Sequence, residues 1–220
     1  MREIVLDTET TGLNPGSGHR IVEVGCVELI HHMPTGACRQ WYINPERDMP
    51  AEAQAIHGLS SAFLSGQPLF SGVVEDILAF LGDAPLIIHN AEFDMKFLNT
   101  ELRRCDRPPL LPGRVIDTLV LARRLFPGAP ASLDALCRRF SIDASARTVH
   151  GALLDSQLLA EIYVELIGGR EPGLALTLPA QTMSAAVRIH RPPRLHAVPA
   201  EELIAHEAFI ARLKDPLWKQ

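Results

Sequence analysis

The chain has 220 residues, 47% apolar and 21% charged, enough to bury one sizeable core and leave an appendage. No stretch of about 18 uncharged apolar residues occurs, and Met1-Arg2-Glu3 leads straight into a β-prone segment, so neither a membrane span nor a signal peptide is expected and a soluble, cytoplasmic protein is. Cys26, Cys38, Cys105 and Cys137 lack CxxC spacing, which argues against a zinc site or a disulfide framework and predicts buried, reduced thiols, while the net charge of −5 is the wrong sign for unaided grip on phosphates.

In chain order, Glu3 to Leu6 and Ile21 to Ile30 read as strands, and Gln40 to Ile43 as a third before the turn at Asn44-Pro45. Their spacing predicts an antiparallel meander. A helix is predicted from Phe70 to Leu81, with Val73, Val74, Ile77, Leu78 and Leu81 on one side. The short apolar strand Pro85 to Ile88 follows, and Asn90 is placed as the N-cap of a helix through Arg104. Further helices are predicted at Val115 to Leu125, Ser132 to Phe140 and Ala152 to Ile167. Strands first and alternation with helices later predict a mixed sheet covered by helices.

From Gly168-Gly169 onward Pro172, Pro179, Pro192, Pro193 and Pro199 punctuate a weakly periodic stretch, read as a linker to residue 198. Pro199 suits the first turn of a final helix reaching about Lys214, in which Leu203, Phe209, Ile210 and Leu213 share a stripe. The charge is uneven as well. The first 180 residues carry 15 basic and 22 acidic side chains, the last 40 carry 6 and 4. An acidic domain can still act on DNA where divalent cations and a partner supply the positive charge.

Three short signals carry the chemistry. In Leu6-Asp7-Thr8-Glu9 the strand alternation puts Asp7 and Glu9 on one side, where two carboxylates repel unless a cation lies between them. Oxygen ligands suit magnesium or manganese. In His89-Asn90-Ala91-Glu92-Phe93-Asp94 a strand runs into a helix whose first turn holds Asp94, where the macrodipole tolerates its charge. In His150-Gly151-Ala152-Leu153-Leu154-Asp155, five residues at about 100° each would set the histidine and aspartate about 140° apart on one helix. His150 is therefore placed on the preceding loop, with Gly151 free to aim it. Singly, each signal also reads as ordinary surface acids, a helix-stabilising charge or a loop histidine.

Taken together, Asp-x-Glu, Asn-x-x-x-Asp and His-x-x-x-x-Asp resemble the DEDD exonuclease superfamily, in the subgroup whose last motif carries histidine rather than tyrosine. The run Asp7 to Leu13, Ile56-His57-Gly58-Leu59, Ile116-Asp117-Thr118 and Ser132-Leu133-Asp134 are similar to the epsilon proofreading subunits of bacterial DNA polymerase III, over about residues 2 to 169 and more faintly the tail. The resemblance implies an α/β ribonuclease H-like fold with a central five-stranded mixed sheet flanked by helices: an exonuclease domain over 1–169, a linker over 170–198 and a helical tail over 199–220. It implies 3′–5′ hydrolysis with two divalent ions, Mg2+ or Mn2+. Asp7 would bridge both, Glu9 and Asp155 would complete the site on the side of the attacking water, Asp94 would support the second, and His150 would be the general base. A pair of cations roughly 3.5–4 Å apart serves both the attacking and the leaving oxygen, and imidazole accepts protons near neutral pH.

Asp7, Glu9, Glu52, His57 and Asp155 would also meet the terminal nucleotide of a frayed DNA 3′ end. An imidazole at Ile56-His57-Gly58 can stack on a base, and a turn histidine bonded to backbone is the alternative. The segment Glu202 to Trp218 is similar to the tail by which such subunits bind the polymerase catalytic (alpha) subunit. Gln181 to Ala186 stands where such subunits carry a sliding-clamp motif, but Ala185 and Ala186 supply no apolar ending, so either a weak clamp contact or a linker segment with no partner is expected. A small accessory subunit is a further partner to look for. Two other readings fit some of the same residues: an exoribonuclease acting on RNA 3′ ends with the same acids, and a non-catalytic polymerase scaffold.

Overall fold

The computed structural model describes residues 1–145, 147, 149–168 and 198–214. It divides into two compact units, Met1–Leu174 and Ala175–Gln220. No helix among the described residues is long and apolar enough to cross a membrane.

In the first unit β1 (Arg2–Thr10), β2 (Ile21–Ile30) and β3 (Met33–Tyr42) form the antiparallel meander, and β4 (Leu86–Ile88) and β5 (Val115–Asp117) continue the sheet parallel to β1. The order is β3-β2-β1-β4-β5. The central strand β1 is therefore covered on both faces, which is why Ile4, Val5 and Leu6 run as an unbroken apolar stretch. Among the described residues of this unit seven α-helices accompany the sheet: α1 (Ala51–His57), α2 (Ser61–Leu64), α3 (Phe70–Leu81), α4 (Ala91–Arg104), α5 (Thr118–Leu125), α6 (Leu133–Phe140) and α7 (Ala152–Leu166). On one face Ile4 and Leu6 pack with Ile77 and Leu81 of α3 and with Phe97 and Leu98 of α4. On the other, Val5, Val27 and Ile87 meet Leu159 and Tyr163 of α7, and Ala122 and Leu136 add α5 and α6 to that helix.

One glycine sets how closely α7 approaches. Gly25 on β2 pairs with Asp7, and a Cβ built there would lie 2.2 Å from the backbone of Ala152 and Leu153. With no side chain in the way, the first turn of α7 rests on the strand, and Ser156 Oγ donates to the Gly25 carbonyl at 3.0 Å. The third motif is thereby held against the first.

The α/β class and the five-stranded mixed sheet match expectation, and several boundaries do not. The third strand begins at Met33 rather than Gln40: Pro34 and Gly36 hide it in the sequence, yet an edge strand tolerates both. The predicted helix from Val115 is strand β5 up to Asp117 and helix α5 after it, because the Asp117 carboxylate turns the chain by accepting from Leu119 N (2.8 Å) and Val120 N (3.3 Å). Helices α1 and α2 were not anticipated. The expected buried cysteines are buried at Cys26 and Cys137 and half-buried at Cys38 and Cys105, and all four are free.

In the second unit α8 (Ala200–Ile210) starts after Pro199, with Glu201 and Glu202 in its first turn where the macrodipole favours acids. It stops four residues before the predicted Lys214. Arg212 and Leu213 bond three residues back, to Phe209 and Ile210, so the ladder has already tightened. Leu203 and Phe209 are exposed, Ile210 is buried, and Leu213 lies outside the helix. The expected linker over 170–198, apart from Val198, and the Gln181 to Ala186 segment lie outside the described residues.

Candidate active site

Strand β1 extends through Thr10, so Asp7 and Glu9 stand inside the sheet rather than at its end. Alternation puts both on the α7 face, and Thr8 turns to the other, where its Oγ1 donates to Asp94 Oδ1 at 2.6 Å. Asp94 is in the first turn of α4, as predicted, and only 3% exposed. Its carboxylate also accepts from the backbone of Thr8 and Asp94 itself. Asn90 is the N-cap residue but caps nothing with its side chain, because it sits in the left-handed region (φ 61°). The capping is done from β5: Asp117 Oδ1 accepts from Asn90 N (3.2 Å) and Oδ2 from Ala91 N (3.0 Å), so one carboxylate fastens the starts of both α4 and α5.

His150 lies on the loop before α7, as expected, and its backbone N–H donates to the Ile56 carbonyl at the end of α1 (3.0 Å). Asp155 is in the first turn of α7 and 4% exposed. Arg147 makes a fork to it, Nε to Oδ1 at 2.5 Å and an Nη to Oδ2 at 2.7 Å. The same Nη donates to His150 Nδ1 at 2.7 Å, and the other Nη donates to Asp134. The start of α7 has no side-chain cap of its own, and buried Glu23 of β2 serves it by accepting from the backbone of Ala152 and Leu153. Glu23 pairs with Glu9 across the strands and adds a fifth carboxylate to the neighbourhood.

Burial, with the nearby acids, raises Asp7, Glu9, Glu23 and Asp94. Burial first, then the nearby Asp155, Glu23 and Asp94, push the Glu9 carboxyl up to about 8, against a smaller pull from Arg147. Burial raises Asp94 to about 7, opposed by its Thr8 hydrogen bond. Asp7 is raised well above the usual range by burial and by Asp94, Glu9 and Asp155. Buried carboxylates that cannot all ionise unaided are suited to a divalent cation, and oxygen donors suit a hard one.

Among the described residues the tightest group with metal-ligand spacing is Glu9, His150 and Asp155, each offering an atom within 4.8 Å of the others. It includes the residue expected to be the base and leaves out Asp7 and Asp94. Those two join it in a cleft of about 220 Å3 lined by Asp7, Glu9, Asp94, Arg147, His150 and Asp155. The four acids and the histidine of the three motifs thus line one cleft, and their donor set fits divalent cations.

A second hollow of about 580 Å3 adjoins it, sharing Thr8, Glu9 and Phe93, and both Glu52 and His57 line it. Glu52 is exposed, whereas His57 is 4% exposed and its Nδ1 accepts from Leu59 N at 3.1 Å. That is the backbone-bonded histidine of the alternative: it is the last residue of α1, which the left-handed Gly58 (φ 76°) closes, and its ring is buried. Burial lowers its titration, and His150 adds to the effect. The apolar surface the hollow does offer is Leu13, 83% exposed, and Ile56. Sequence reasoning missed Leu13, Glu23 and Arg147 as site residues. Leu13 stood inside a quoted motif and Arg147 three places before His150, but a lone leucine or arginine has no spacing rule to flag it.

Comparison with known proteins agrees with this geometry. The family model described as Exonuclease matches residues 4–163. Exonuclease X in complex with 5′ overhanging duplex DNA superposes with a TM-score of 0.59 at 27% identity, covering 76% of this chain and 92% of that one. The nuclease domain of 3′hExo, a DEDDh family member bound to rAMP, shares the fold with a TM-score of 0.65 at 22% identity over 76% and 92%. Sheet order, acid cluster and family model define a metal-dependent 3′–5′ exonuclease of the ribonuclease H-like class. The DNA polymerase III subunit epsilon of Rickettsia conorii is 48% identical over 97% of this chain and 96% of its own. Its counterpart in Escherichia coli K12 is 40% identical over 94% and 91%. The chain belongs to this family of epsilon subunits, the proofreading 3′–5′ exonucleases of DNA polymerase III.

Proposed function

We propose that the chain removes single nucleotides from the 3′ end of a DNA primer with two divalent ions, Mg2+ or Mn2+, held by Asp7, Glu9, Asp94 and Asp155. The observation that carries this is the convergence of those acids and His150 on one cleft from β1, α4 and the start of α7. When bound, the ions supply positive charge for the attacking and leaving oxygens of the phosphodiester. His150 takes the proton of the attacking water at a ring nitrogen, and its exposure, 47% of the side chain, keeps it within reach of solvent. Thr8 holds Asp94, Glu23 holds the first turn of α7, and Gly25 lets that turn close on Asp7. The terminal nucleotide enters the adjoining hollow past Glu52 and Leu13, with His57 fixing the end of α1 beneath it.

Selection of errors follows from the cost of fraying. A mismatched terminus leaves the stack more cheaply than a paired one and reaches the cleft more often. The acids serve deoxyribose and ribose alike, so only contacts to the 2′-hydroxyl separate the substrates. DNA is favoured here by relatedness to polymerase subunits. The test compares four primers, matched and mismatched, deoxy and ribo. Faster loss of the mismatched deoxy end is expected, and a preference for the ribo end would favour the exoribonuclease reading.

The tail from 199 binds the polymerase catalytic subunit through the apolar residues of α8, tethered by the linker. Leu203, Ile204 and Phe209 are available on it. The setting is cytoplasmic, with the clamp contact weak and an accessory subunit as a further partner.

A further inference from the structure

Asp134 of the Ser132-Leu133-Asp134 segment has no role in the chemistry above, and neither has Arg147, the cation that touches His150 and Asp155. Arg147 joins them. Its guanidinium covers both oxygens of Asp155 (2.5 and 2.7 Å), donates to His150 Nδ1 (2.7 Å) and reaches Asp134 at the rim. The Arg147 and Asp155 side chains are 9% and 5% exposed, that of Asp134 is 58%. A bidentate guanidinium–carboxylate pair is the strongest arrangement open to these groups, and it engages the residues assigned above to the ion and to the proton.

We propose that Arg147 is a built-in competitor of the catalytic cations, holding Asp155 and His150 until a divalent ion takes Asp155 and then remaining on Asp134. The inference rests on the reading of Asp155 as a metal ligand. Two like charges on one carboxylate in a half-enclosed cleft repel strongly, so guanidinium and ion exclude one another there. The arrangement also gives buried Asp155 a partner before any ion arrives, and a buried carboxylate without one is costly. The consequence is an apparent cation affinity lower than the site's intrinsic one, reduced by the fraction of time that Arg147 leaves Asp155 free. Asp134 lowers the barrier to leaving, because the displaced guanidinium keeps one carboxylate at the rim.

The test is calorimetric titration of Mn2+ into the full chain and into Arg147→Gln and Arg147→Lys, with melting in chelator alongside. Arg147→Gln is expected to bind Mn2+ roughly five-fold more tightly, to melt lower than wild type in chelator, and to gain more from added Mn2+. Arg147→Lys, which keeps the charge but cannot bridge Asp155 and His150 at once, is expected to fall between them and guards against misfolding of the first variant. In isotope-labelled wild type the Nε–H resonance of Arg147 should shift as Mg2+ saturates the site. Unchanged or weaker Mn2+ binding by both variants, or a resonance that saturating Mg2+ leaves in place, overturns the proposal while the metal site stands. No Mn2+ uptake by wild type overturns both.

Discussion

Glu9 and Asp94, with carboxyls raised to about 8 and about 7, fix how the protein responds to pH. An acid whose folded value exceeds its unfolded one near 4 costs nothing while both states are protonated, and the cost grows as pH climbs between the two values. His57 and His89, both lowered by burial, act with the opposite sign: they cost stability as pH falls through about 6.5 and nothing well above it. Between about pH 6.5 and 8 only the carboxylates remain, so the melting temperature in chelator is expected to fall across that window and Mg2+ to flatten the fall. A melting temperature that rises there in chelator would contradict the charge account. At the same scale, His150→Ala is expected to lower kcat roughly a hundred- to ten-thousand-fold while the Mg2+-induced stabilisation survives in part. Asp7→Asn should remove most of both. Equal hydrolysis by His150→Ala and wild type would remove that residue from the role of base.

The elements matter because the acids are brought together by features that have no chemistry of their own. Asp117 caps α4 and α5 together, so Asp117→Ala is expected to lower stability by about 1–2 kcal/mol, with Asp117→Asn recovering most of it in urea denaturation. Gly25→Ala would put a methyl into the backbone of α7, and a loss of about 1–3 kcal/mol together with a drop in activity of more than ten-fold is the expected outcome. Normal activity in Gly25→Ala would mean that the approach of α7 does not position Asp155. These features explain how much could be read in advance. The motif order, the first turn of α4 and the loop position of His150 were legible because each is a local rule of strand alternation, helix capping or helical angle. The start of β3, the strand before α5 and the true cap of α4 were not, because Pro34 and Gly36 read as strand breakers that only an edge strand tolerates and the cap comes from a residue 27 positions away. Glu52 and His57 were named by resemblance alone, and the burial of the His57 ring depends on the three-dimensional setting of α1.

For the whole molecule, the uneven charge and the division into two units suggest separable tasks. Deleting residues 171–220 is expected to leave primer hydrolysis intact and to abolish co-purification with the polymerase catalytic subunit; retained binding by the shortened chain would move that contact onto the nuclease unit. The acidic nuclease unit depends on cations for its hold on DNA at the cleft, so the central claim is that the gathered carboxylates act through divalent ions at the 3′ end. The most direct measurement follows a 5′-labelled DNA primer incubated with the purified full chain. The account predicts a ladder of products, each one nucleotide shorter from the 3′ end, in Mg2+ or Mn2+, and none in chelator or with Asp7→Asn. An intact primer in every ion, or a ladder that Asp7→Asn produces as fast as wild type, would contradict it.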